Sequence, residues 1–181
     1  IQTQKDEINK YEKADEIIDR KFADFVCMVR PLIADAELPN KAKLGQLDKI
    51  RRCISCNVGC RGGPHRGVPI SCLVNPAVGF EKETGIGKIT TAKKTKKVVI
   101  VGGGPAGLKA AETAAIRGHE VTLIEQNSIL GGTVNIAASA MPYRAEFANS
   151  TNFLHTECMR LGVDIKTGKN ASTELIREMR P

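Results

Sequence analysis

Four cysteines stand close together as Cys53, Cys56, Cys60 and Cys72, in the pattern C-x2-C-x3-C-x11-C. Three thiolates near one another with a fourth downstream can wrap one compact metal centre. Iron–sulfur clusters are held by cysteine sets of this kind. Structural zinc is the next reading, although zinc ribbons usually present two separated C-x2-C pairs and the second pair is missing here. Disulfides are the least suited, because a reducing compartment keeps thiols free. Glycines at 59, 62 and 63 suit a backbone that must fold tightly and turn N–H groups toward sulfur. Cys27, in an apolar run, and Cys158, in a helical pattern, read as small core residues rather than ligands. His65 could serve as a stray ligand, but a loop residue is the preferred reading.

A second group of residues could bind phosphate. Gly102, Gly104 and Gly107 form G-x-G-x-x-G directly after the apolar run VVIV (98–101) and at the start of the helical pattern LKAAETAAIRG (108–118). That context gives an otherwise weak motif its meaning. The first glycine permits a tight turn, the second lets backbone approach a pyrophosphate, and the third allows close helix–strand packing. A helix N-terminus adds unpaired N–H groups and a favourable dipole. Glu125 ends the next apolar run, VTLIE, 18 residues after Gly107. A carboxylate there can accept from ribose hydroxyls and disfavours a 2′-phosphate, so FAD, NAD or ADP fits best. The bland alternative is a glycine turn with no ligand.

These residues need elements to position them. Ile8, Tyr11, Ala14, Ile17 and Ile18 fall at helical spacing over 8–18. Residues 23–29, ADFVCMV, have the length and apolarity of a buried strand. Leu44, Leu47 and Ile50 suggest a second helical stretch. Residues 53–80 are rich in glycine and proline and lack periodicity, so their order must come from something other than regular packing. Residues 81–97 are polar and lysine-rich and read as a linker. From 98 the chain reads strand, turn, helix, strand; residues 161–165 lead into another short strand, and a helix follows over 172–179. The fold class is α/β.

Composition narrows the partners. The net charge of +7 draws on Lys93, Lys94, Lys96 and Lys97 and on Arg51, Arg52, Arg61 and Arg66. A solvated linker and loops account for most of it; a surface for phosphate-bearing cofactors is the sharper reading. Nucleic acid is not expected, because no binding motif is present and only 4% of residues are aromatic. No run approaches the ~18 apolar residues of a membrane span. The polar N-terminus does not resemble a signal peptide, so the cytoplasm is the expected compartment. The chain opens on Ile1 and closes at Pro181, just past a helical pattern, and is expected to be a segment of a longer protein.

The stretches VRPLIADAELPNKAK (29–43), CISCNVGC (53–60), ISCLVNPAVG (70–79), VVIVGGGPAGLKAAETAAIRGHEVTLIE (98–125) and LGGTVNIAA (130–138) resemble the family of dienoyl-CoA reductase, enoate reductase and trimethylamine dehydrogenase. The resemblance covers most of 14–181 in the same order. It implies the end of a (β/α)8 flavin barrel over 1–52, a cluster loop over 53–80, a linker over 81–97, and an incomplete Rossmann-like, three-layer nucleotide domain over 98–181. It implies that Cys53, Cys56, Cys60 and Cys72 ligate a [4Fe–4S] cluster. It places Gly102, Gly104, Gly107, Glu125, Gly132 and Thr133 around the adenosine diphosphate part of FAD, or of ADP alone. Arg30 would face the phosphate of FMN in the barrel; an ordinary salt bridge is its bland alternative.

Electrons from NAD(P)H would then pass through FAD and the cluster to FMN, which reduces a small-molecule substrate with an activated C=C bond. An amine dehydrogenase with structural ADP is the second reading, and a zinc-stabilised nucleotide-binding module without redox activity the third. Self-association into a homo-oligomer is compatible with the sequence. The sequence departs from the family pattern at Val29, where glycine is usual, and at Thr133, where glutamine is common. No catalytic acid or base can be named, and the segment alone is expected to be inactive.

Overall fold

The computed structural model describes residues 11–140 and 142–181. The chain divides into two compact units, residues 1–81 and 82–181.

In the first unit the helices are short. Helix α1 spans Tyr11–Asp19; the part of the expected helix before Tyr11 lies outside the described residues. Helix α2 spans Val29–Ala34 and α3 spans Leu38–Lys43. The helical spacing of Leu44, Leu47 and Ile50 does not continue α3. Gly45 adopts φ +68, its N–H donates to the Ala42 carbonyl, and the Gln46 N–H donates to Lys41. That paired motif with a left-handed glycine closes the helix. A single 3-10 turn follows at Leu47–Lys49.

Residues 23–29 do not form a strand. Residues 25–28 are irregular and α2 begins at Val29. Phe25 is 88% exposed and Cys27 is exposed, so Cys27 is not a core residue in this chain. The physical reason is pairing. A strand must satisfy its backbone N–H and C=O groups against a neighbour, and among the described residues strands occur only in the second unit.

Asp35 organises this unit. One carboxylate oxygen accepts from the Glu37 N–H at 3.0 Å; the other accepts from the Arg51 N–H at 2.8 Å and the Lys41 ammonium at 2.6 Å. The end of α2, the start of α3 and the approach to Cys53 thus meet at one buried carboxylate. Its apolar core is small: Ala34, Leu38, Ile50, Ile54 and Val78.

The second unit holds a parallel sheet of β1 (Lys97–Val101), β2 (Glu120–Ile124) and β3 (Asp164–Lys166), in the order β1-β2-β3. The register pairs Val98 with Val121, Ile100 with Leu123, and Leu123 with Ile165. The central strand is almost continuously apolar, as a parallel strand buried on both faces must be. Helix α4 (Pro105–Ile116) joins β1 to β2, and α5 (Thr133–Ser139) and α6 (Ala148–Arg160) lie between β2 and β3. Leu108 and Ala111 of α4, Val121 and Leu123 of β2, Cys158 of α6 and Val163 form one core. Cys158 is fully buried, and its thiol donates to the Leu108 carbonyl at 3.4 Å. The fold is α/β and Rossmann-like, as the sequence suggested from 98 onward. Helix α7 (Thr173–Met179) closes the chain, capped by the Ser172 hydroxyl.

Candidate cysteine centre and nucleotide site

In the first unit, Cys53, Cys56, Cys60 and Cys72 line one cavity together with Arg30 and Asn57. All six cysteines of the chain are free thiols. Local backbone geometry makes the gathering. Ser55 and Asn57 both take left-handed conformations, φ +53 and +56, which few non-glycine residues adopt and asparagine tolerates best. They coil the segment so that the Ser55 N–H donates to the Cys53 sulfur at 3.4 Å.

Gly59 brings in the distant fourth thiol. A Cβ there would lie 2.3 Å from the Ser71 carbonyl oxygen. The returning chain passes directly over Gly59, which sets Cys72 beside the first three cysteines. Asn75 then ties this return to α2 by donating to the Ile33 carbonyl at 2.9 Å. The glycines at 62 and 63 turn the one-turn helix Gly62–His65, on which His65 is exposed and outside the cavity lining.

Burial raises the Cys53 thiol above its ordinary range; the Ser55 N–H and then the Arg30 guanidinium draw it back, while the Cys72 and Cys56 sulfurs push it up. Among the described residues, no three His, Cys, Asp or Glu side chains are gathered to hold a single metal ion; what the four thiols share is the cavity. Four soft sulfur donors around one space, with a cation at its wall, fit the donor set of an iron–sulfur cluster. Arg30 gives one guanidinium N–H to the Asn57 side-chain oxygen at 2.8 Å.

In the second unit the glycine turn joins β1 to α4. Gly102 has φ +100. A Cβ on Gly107 would lie 1.9 Å from the Gly102 carbonyl oxygen, so only glycine lets α4 approach the strand. Gly104 caps α4 in extended backbone, and a Cβ there would meet nothing within 4 Å. Neither conformation nor packing demands glycine at 104, and the open space beside it would admit a pyrophosphate. Gly132, with φ +53, faces this position: its Cβ would lie 3.3 Å from the Gly104 Cα. The Gly131 N–H donates to the Gly103 carbonyl at 2.8 Å. Thr133 follows as the exposed first residue of α5.

Glu125 is buried beneath the turn. One carboxylate oxygen accepts from the Gly103 N–H at 2.6 Å; the other accepts from the backbone and side-chain N–H groups of Asn127, each at 2.8 Å. The Asn127 and Gly103 backbone donors hold its carboxyl below the usual carboxylate range. The oxygen that accepts from Gly103 keeps a second acceptor direction, whereas the other already accepts two hydrogen bonds. A cavity of about 260 Å³ opens beside it, lined by Gly102, Glu125, Gln126, Lys169 and Asn170, among others. Sequence reasoning missed Gln126, Lys169 and Asn170. The signal was available: in a parallel sheet the loops after successive strands gather at one edge, and 169–170 follow β3.

Residues 97–176 match the family described as FAD dependent oxidoreductase. The NADH oxidase of Thermoanaerobacter brockii is 46% identical over 96% of this chain and 26% of its own length. The cinnamate reductase of Clostridium sporogenes is 46% identical over 91% of this chain and 24% of its own. The solved structure of a 2-naphthoyl-CoA reductase superposes with a TM-score of 0.89 at 33% identity, covering 96% of this chain and 26% of that one. Residues 97–176 thus match a domain of FAD-dependent oxidoreductases, and the chain as a whole is similar to a part of these longer proteins. The family expected from the cysteine and glycine motifs is the one found. The chain spans about a quarter of the length of these relatives. No helix among the described residues is long and apolar enough to cross a membrane.

Proposed function

We propose that this chain is the electron-transfer portion of an NAD(P)H-dependent iron–sulfur flavoprotein. Cys53, Cys56, Cys60 and Cys72 hold a [4Fe–4S] cluster. Gly102, Gly104, Gly107, Glu125, Gly132 and Thr133 hold the adenosine diphosphate part of FAD. Residues 1–52 complete a flavin barrel that carries FMN, 53–80 form the cluster loop, 81–97 link it onward, and 98–181 begin the FAD domain. Arg30 keeps guanidinium donors for an FMN phosphate beyond the one given to Asn57. The whole protein reduces an activated C=C bond in the cytoplasm; similarity to a cinnamate reductase and a 2-naphthoyl-CoA reductase favours this reading over an amine dehydrogenase.

The observation that carries this reading is the convergence of four sequence-separated thiols on one cavity. When bound, the cluster supplies one-electron transfer between the two flavins. The protein's own part is positional. Gly59 admits the return of Cys72, Ser55 donates to a ligand sulfur, and Glu125 holds the glycine turn in a shape that leaves the Gly104 side open.

An absorbance spectrum of anaerobically purified chain tests it. A broad shoulder near ~400 nm that bleaches on reduction is expected. A featureless spectrum with stoichiometric zinc overturns it. Identification of the released nucleotide separates FAD from ADP.

A further inference from the structure

We propose that Arg30 and Asn57 form a clamp that raises the reduction potential of the four-cysteine centre, with Arg30 as the cation and Asn57 as the residue that fixes it there. The proposal rests on the iron–sulfur reading above and goes beyond it to how the chain sets the energy of the transferred electron.

Three observations carry it. Arg30, on α2, and Asn57, between Cys56 and Cys60, lie 27 residues apart and meet in a 2.8 Å hydrogen bond. Both line the cavity that the four thiols share. Asn57 stands at φ +56, a conformation that asparagine and glycine accept more readily than other residues. Asparagine alone of the two offers a side-chain oxygen to a guanidinium. The pairing therefore uses a backbone position restricted to few residues and a side chain that holds the cation in the lining of the thiol cavity.

The guanidinium and the four thiols line one cavity, so a cluster held there would feel its charge. Reduction adds one electron and so one negative charge to the centre. A guanidinium stays protonated at any working pH, and in a partly buried site its field is weakly screened. It stabilises the reduced form more than the oxidised form, which raises the potential. A clamp that served only to fasten α2 to the loop would change stability and leave the potential where it was.

The test is an EPR-monitored redox titration of the anaerobically purified full chain and three variants. Arg30→Gln removes the charge, Arg30→Lys keeps it without the planar fork, and Asn57→Gly keeps the left-handed backbone without the acceptor. The expected result is a midpoint potential lowered most in R30Q, lowered less in N57G, and higher in R30K than in R30Q. Iron-loaded R30Q at or above the wild-type potential overturns the proposal. If R30Q does not retain iron, N57G decides: a lowered potential supports the clamp and an unmoved one overturns it. Wild-type chain that carries zinc and no reducible iron overturns the cluster reading itself, a result distinct from an unmoved potential in iron-loaded protein.

Discussion

Gly104 and Gly107 stand three residues apart in one motif, and they are glycine for different reasons. At 107 a methyl group would strike the Gly102 carbonyl oxygen. Gly107→Ala is expected to cost about 3 kcal/mol through overpacking, a fall in Tm of roughly 10 °C or more. At 104 the backbone is ordinary and the space is open. Gly104→Ala should leave Tm within a degree or two and weaken FAD binding by about tenfold or more, since tenfold corresponds to only about 1.4 kcal/mol of lost contact. Thermal melts beside a nucleotide titration separate the two; equal loss of stability in both would contradict the assignment of roles.

Glu125 adds a pH dependence at the same scale. Its carboxyl is held below its ordinary value of 4.5. A group depressed in the folded state contributes stability that is present above its unfolded pKa and lost as pH falls through the folded one. Acid unfolding of the second unit should therefore begin below about pH 4.5, and Glu125→Gln should flatten that limb while lowering stability at pH 7. An acid limb identical in the variant would contradict the link.

At the scale of elements, much was legible because local chemistry and packing agree. Helix α4 starts with Gly104 as cap and Pro105 at its first position. It ends at Gly118, φ +81, with Gly118 donating to Ala115 and His119 to Ala114. Those signals can be read from glycine and proline alone. The end of α3 at Gly45 uses the same device and was missed, since the apolar spacing of Leu44, Leu47 and Ile50 ran across it. The run 23–29 failed for another reason. Apolarity gives a segment the means to be a strand, but the partner strand is a matter of tertiary context.

Asp35 shows a further limit, for nothing local marks that carboxylate as the joint of three segments. Asp35→Ala leaves the Glu37 and Arg51 N–H groups and the Lys41 ammonium without their acceptor, and should cost about 3 kcal/mol, read by chemical denaturation of the first unit. Cys158 shows agreement again. Burial, with Glu112 second, pushes its thiol up to about 11. At pH 8 it should resist maleimide, with roughly one thiolate in a thousand, while exposed Cys27 labels at once. Rapid labelling of Cys158 in folded protein would contradict the packing of α6 on α4.

At the scale of the whole molecule, the two units are ordered by different means. The second has one aliphatic core between helices and a parallel sheet, and periodicity announces it. The first buries little apolar surface, and small units of that kind commonly depend on a metal or disulfides. Its thiols are free. Removal of bound iron by a chelator should therefore make 53–80 sensitive to protease while the second unit keeps its thermal transition. The candidate site was legible to the same uneven degree. Cysteine spacing and the glycine fingerprint pointed to all four thiols and to the Gly104 turn. The Arg30–Asn57 link and the 169–170 edge of the cavity beside Glu125 arise only when distant segments fold together.

Whether the four thiols hold an iron–sulfur cluster is read most directly from the iron and acid-labile sulfide content of anaerobically purified chain. About four irons and about four sulfides per chain are expected. A single zinc per chain with no labile sulfide would contradict it.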